Sequence, residues 1–221
     1  VAYDKMQLNA IESADTTILL PYTVQQSRVN LDAGKYVMKI ELNDMATPDV
    51  PILLEQEIEV TLDRSKLSTS SILLLDSYKE SDAQSVVGKW GFDLVPIVPT
   101  GSYYISDNVT SLPFYCEVFN SDTAFGDNQP FMVKYYLRDN SNNAVLQRYA
   151  GFQRVSGAVV NPILNAFNIK NLPSGYFDLV VEVVSQSNEV VSSETVSFYR
   201  RNLEADMQNY NANEVLIANS F

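Results

Sequence analysis

The feature that most constrains this chain is an alternation of apolar and polar residues with a period of two, repeated along most of its length. In "KYVMKIEL" Tyr36, Met38, Ile40 and Leu42 share one parity while Lys39 and Glu41 take the other. In "TTILLPYTV" Ile18, Leu20, Tyr22 and Val24 do the same. Successive side chains of a strand point to opposite faces, so each run buries one face and wets the other, as in an antiparallel sheet with one solvated side. The residues used are largely β-branched and aromatic, which suit a pleated, half-buried surface.

The alternation predicts strands over 2–11, 16–25, 35–43 and 52–61, separated by punctuation such as "NDMATPDVP". A polar connection without glycine or proline, "TLDRSKLSTS", follows at 61–70 and predicts two closely placed domains. Beyond it strands are expected over 71–78, 90–98, 113–120, 130–138, 144–154, 163–170, 176–185 and 189–199. "RDNSNNAV" at 138–145 and "VSQSNEVV" at 184–191 read as hairpin connections. Short strands at this spacing, with no long amphipathic helix between them, define the expectation: all-β, two tandem immunoglobulin- or fibronectin-like antiparallel β-sandwich domains. The expected boundaries are 1–62 for a first sandwich lacking its opening strands, 63–202 for a second, and 203–221 for a tail. In that tail Asn202 would cap a short helix carrying Glu204 and Asp206 in its first turn. The opening "VAYDKMQLNA" reads as mid-strand sequence and not as a signal peptide.

Two stretches align without a gap: "LDAGKYVMKIEL" at 31–42 and "LPSGYFDLVVEV" at 172–183. Leu31 falls on Leu172, Gly34 on Gly175, Tyr36 on Phe177, Met38 on Leu179, Ile40 on Val181 and Leu42 on Val183, with Glu41 on Glu182 outside. A leucine entering a core, a turn relaxed by glycine and an alternating strand form one coherent unit, which predicts two related domains.

The chain has 221 residues, 46% of them hydrophobic, enough to bury real cores. Its 27 acidic residues against 15 Lys and Arg leave a net charge of −12, which repels phosphate backbones and anionic lipid surfaces and argues against a nucleic-acid partner. No run approaches the roughly 18 apolar residues of a membrane-spanning helix, so no membrane insertion by this region is expected. With no histidine, the commonest general base and nitrogen ligand for metals are missing, and His-dependent triads are excluded. Cys116 has no intrachain disulfide partner and shares the parity of Phe114 and Val118, the position of a buried thiol. The loops "NSDTAFGDN" at 120–128 and "RDNSNN" at 138–143 offer oxygens for calcium but lack the alternating carboxylates and closing glutamate of a dedicated loop, so turn chemistry is the expectation. Asp76, Glu80, Asp82 and Asp93 could supply a glycosidase pair, yet no spacing pairs them. No catalytic residue, metal ligand or cofactor is therefore assigned.

Aromatic clusters remain: "SYYI" at 102–105, "PFYCEVF" at 113–119 and "FMVKYYL" at 131–137. One residue of each tyrosine pair must face away from the core, which makes Tyr103, Tyr104, Tyr135 and Tyr136 the candidate interaction residues. "NVT" at 108–110 fits the acceptor pattern for N-glycosylation.

With these elements in place, "LSTSSILLLDSY", "KWGFDLVPIVPTGSYYISDNVTSLPFYCEVFN", "FMVKYYLRD" and "LPSGYFDLVVEVVSQSNEVVSSETVSFYRRN" resemble the tandem β-sandwich region of Bacteroidota envelope proteins of the GWxTD-domain type. The likeness runs from about residue 6 to residue 202, and its motifs are structural. The GWxTD signature itself does not occur in these residues, so no functional residue is carried over. The resemblance implies an exported protein, periplasmic or at the outer membrane or cell surface, that is not enzymatic in this region. Together with the absence of catalytic chemistry it leads to the expectation of an interaction scaffold or adaptor for other envelope proteins. The alternative is a carbohydrate-binding or adhesin-like module using exposed tyrosines on a glycan, and a third is a hydrolase at the domain junction.

Overall fold

The computed structural model describes residues 5–7, 27, 29–45, 50–61, 65–81 and 88–206. The expected strands over 2–11 and 16–25 lie outside these residues, apart from 5–7, which are not in a strand. The fold is all-β, and the chain divides into two compact units, Val1–Thr61 and Leu62–Phe221.

In the first unit β1 (Gly34–Leu42) pairs with β2 (Ile52–Val60) in antiparallel register from Gly34↔Val60 to Leu42↔Ile52. Tyr36 and Ile58, Ile40 and Leu54, and Leu42 and Ile52 are cross-strand neighbours on one face, as the alternation requires. Lys39 meets Glu55 at 2.6 Å on the other face.

Among its described residues the second unit contains eleven strands: β3 (Ser68–Thr69), β4 (Leu73–Glu80), β5 (Gly88–Lys89), β6 (Phe92–Pro96), β7 (Tyr103–Ile105), β8 (Ser111–Phe119), β9 (Pro130–Asp139), β10 (Val145–Ser156), β11 (Val160–Asn168), β12 (Gly175–Val184) and β13 (Val190–Arg200). A five-stranded sheet runs β10-β9-β12-β13-β7, and a second runs β11-β8-β4-β6-β5 with β3 added to β8. Their inner faces meet in one core. Leu74, Leu112, Phe114, Cys116, Val118 and Ile163 come from the second sheet, and Val133, Leu137, Leu179, Val181, Val183 and Phe198 from the first. This face-to-face burial defines the sandwich.

Four elements depart from the sequence expectation. Ser68–Thr69, expected within the polar connection, pairs with Phe119 and Val118 of β8, because an unfilled stretch of sheet edge accepts any extended backbone. Tyr103–Ile105 forms a strand parallel to β13. Gly88–Lys89 pairs with β6. The loop at 120–128 contains a helical turn, α1 (Ser121–Phe125), after Asn120 at φ 58°. The tail residues 203–206 form a turn with Asn202 before it, whose side-chain oxygen accepts from the Ala205 N–H at 3.2 Å. Asp206 in turn accepts from the Ser174 N–H at 2.8 Å, which ties this turn to the loop before β12.

The glycines of the two aligned stretches have different physical roles, and only that of Gly175 departs from the backbone role the sequence implied. Gly175 is not in the left-handed region; a Cβ there would meet the Phe177 ring at 3.3 Å. At Gly34 a Cβ would meet the Tyr36 ring at 3.5 to 3.7 Å. The ring two residues on thus crowds the bare glycine only at Gly175; at Gly34 the contact is an ordinary one and the backbone, at φ 158°, is what favours glycine.

Candidate functional site

The structure separates the four candidate tyrosines. Tyr103 packs against the main core, and burial raises its hydroxyl above the ordinary value. Tyr135 also faces inward, edge-on to Phe114 with centroids 5.5 Å apart and to Phe167 at 5.8 Å. Tyr104 and Tyr136 face outward on the five-stranded sheet, Tyr136 donating to Glu182 at 2.9 Å. The parity rule thus holds within each pair, but the four do not form one surface.

The outward face instead assembles a group that spacing did not indicate. β7, β13 and β12 are adjacent, and their register places Tyr104 beside Tyr199 and Tyr199 beside Tyr176. Tyr104 and Tyr199 stack with centroids 5.9 Å apart and planes 24° from parallel, while Tyr199 and Tyr176 lie 4.9 Å apart at 57°. Tyr176 is 65% exposed and Tyr104 52%. Tyr176 and Tyr199 are each next in sequence to a core phenylalanine, Phe177 and Phe198, so parity marks them as outward residues. Their convergence with Tyr104 had no sequence signal, because it depends on the parallel pairing of β7 with β13.

Next to this row the face is fixed by charge. Asp178 on β12 accepts from Arg138 at 2.8 Å, from Asn140 at 3.0 Å and from Ser197 at 2.7 Å. Burial alone would raise its carboxyl, but these hydrogen bonds and the Arg138 charge outweigh burial and hold it below the ordinary value. Farther along, Phe152 on the edge strand β10 is 63% exposed.

The second sheet buries another carboxylate. Glu117 faces away from the main core on β8, and its Oε1 accepts from Tyr115 at 2.6 Å, Trp90 Nε1 at 2.8 Å and Lys89 at 2.7 Å. A register shift in β4 between Leu75 and Ser77 turns β5 and β6 over β8, and Leu75, Leu94 and Tyr115 form a small core there. Burial pushes Glu117 up, and its three donors more than offset this, leaving it below the ordinary value. The arrangement is a pin, with all three donors on one oxygen.

Of the carboxylates considered for hydrolysis, Asp76 and Glu80 are exposed on β4, Asp93 is buried beside Lys79 at 3.7 Å, and Asp82 lies outside the described residues. Glu194 is raised by burial and lies beside Val181 in the register. Among the described residues no group of three or more His, Cys, Asp or Glu could hold a metal. Cys116 is buried between Phe114 and Val118, and burial, with the charges of Glu117 and Glu194, pushes its thiol up to about 12.

Fold and site together define an all-β sandwich protein with an exposed aromatic row on one sheet. No family model and no curated protein matches the chain. Among solved structures it is similar to a selenomethionine-labelled β-glucosidase from Kluyveromyces marxianus, at 14% identity over 60% of this chain and TM-score 0.25. The match spans 15% of the glucosidase. It is also similar to the N-terminal domain of PorA, at 10% identity over 59% of this chain and 97% of that one, with TM-score 0.24. Likenesses of this size carry no argument about function.

Proposed function

We propose that this chain is a non-catalytic β-sandwich protein of the bacterial envelope, exported as its resemblance to the Bacteroidota GWxTD-type proteins implies, and that it acts as an interaction scaffold. Its partner is another envelope protein, held on the outward face of the five-stranded sheet. The observation that carries this reading is the row Tyr104–Tyr199–Tyr176. Tyrosine is enriched among residues that dominate protein interfaces, and rings already ordered by stacking lose little entropy on docking. The ring geometry favours a protein over a sugar. Stacking on a pyranose needs free ring faces in a common plane, whereas these rings turn faces toward one another and the second pair is tilted by 57°.

The test is a photocrosslinking residue at position 176 in cells of the source organism. A discrete crosslinked envelope protein, lost when Tyr104 and Tyr199 are both changed to Ser, is the expected result. Crosslinks that survive that double change, or none at all, overturn the reading. Tyrosine-dependent binding on a glycan array would move the assignment to a carbohydrate-binding module.

A further inference from the structure

We infer that the groove between β10 and β11 is a binding site for a small organic carboxylate of monosaccharide size. This goes beyond the docking face, which lies on the outward side of the sheet. β10 and β11 are end strands of the two sheets, and a groove of about 330 Å³ opens between them, lined by Tyr135, Arg148, Tyr149, Gly151, Asn165 and Asn168 among others. That volume is at the lower end of small-molecule sites.

Three features show that the groove is built. The first is backbone. β10 leaves its register with β9 between Val145 and Ala150, and this same stretch carries Arg148 and the buried Tyr149, both of which line the groove. The Arg148 guanidinium sits 6.0 Å from the Tyr149 ring centroid. The second is a vacancy in the side chains. Gly151 stands opposite Tyr135, and a Cβ there would lie 2.6 Å from the Tyr135 ring, so glycine at 151 admits the ring across the strand. The third is charge. The chain carries −12, yet the groove lining contains an arginine and no Asp or Glu, and Arg148 forms no ion pair among the described residues.

The polar atoms also agree on a ligand class. Asn165 donates to the Tyr135 hydroxyl at 2.7 Å, which leaves that hydroxyl its own proton to give. The side-chain oxygens of Asn165 and Asn168 already accept from Ala166 and Lys170 N–H groups, at 2.8 and 3.1 Å. The groove therefore offers a ligand several donors, the Arg148 fork, the Tyr135 hydroxyl and the Asn168 amide, of which only the hydroxyl can also accept. A set of donors with one positive charge matches a monoanion rich in acceptor oxygens, and the planar guanidinium fits a carboxylate.

The whole chain is titrated with glucuronate and, separately, with glucose, while the amide resonances of Gly151 and the Asn165 side chain are followed by NMR. Saturable shifts with glucuronate and none with glucose are expected. Arg148→Gln, at an exposed position that leaves the fold intact, should weaken binding about tenfold or more, and Tyr135→Phe should weaken it while keeping the ring in place. Equal responses to both sugars, no saturable response to glucuronate, or full binding by Arg148→Gln each overturn the inference.

Discussion

At the scale of single residues, two buried carboxylates set the acid behaviour of the second unit. Glu117 and Asp178 are both held below their ordinary values of 4.5 and 3.8 by hydrogen-bond donors that exceed the effect of burial. A carboxyl depressed by folding contributes stability that is fully present above its ordinary value and is lost as the pH falls through the folded one. The melting temperature should therefore fall as the pH drops below about 4.5, and Glu117→Gln and Asp178→Asn should each flatten that fall while lowering stability near pH 7. A thermal-melt series across this range checks both signs. Glu117→Ala leaves Lys89 and two other donors without their acceptor and should cost about 2–3 kcal/mol in urea unfolding. Cys116 was legible as a buried thiol because parity with Phe114 and Val118 is a local property. Glu117 was not, because what buries it arrives from β5 and β6.

At the scale of elements, strands built on a strict alternation were readable and those built on a partner's edge were not. β9 and β12 match their expected spans closely because each carries a full apolar stripe, Phe131, Val133 and Leu137 in one and Phe177, Leu179, Val181 and Val183 in the other. β3, β5 and β7 have two or three residues, too few for a period to show. The β5–β6 turn is held by Trp90 at φ 52° and Gly91 at φ 82°, both in the left-handed region. Nothing lies within 4 Å of a Cβ built at Gly91, so Gly91→Ala isolates the backbone term and should cost about 1 kcal/mol by chemical denaturation. Gly151→Ala on β10 is a steric change instead. It forces the Tyr135 ring off Phe114 and Phe167 and should cost about 1–3 kcal/mol, with Tyr135→Ala as second substitution restoring room but not packing.

At the scale of the whole molecule, the unit from Leu62 onward holds a continuous core drawn from both of its sheets. A fragment of 62–206 should therefore unfold cooperatively by itself, with a melting temperature within a few degrees of the transition it shows in the full chain; a molten profile would show that the first unit is needed. The sequence by itself determined the all-β class, most strand positions, that one residue of each tyrosine pair faces away from the core, and the lack of histidine chemistry. These are local quantities, set by a period of two and by which residues are present. Only the tertiary structure decided which strands are neighbours, and with them the Tyr104–Tyr199–Tyr176 row, the Glu117 pin and the groove beside Arg148. Each of these joins residues far apart in the chain. Pairing between distant strands depends on which edges and faces remain open once the core has formed, and no single stretch of sequence carries that information.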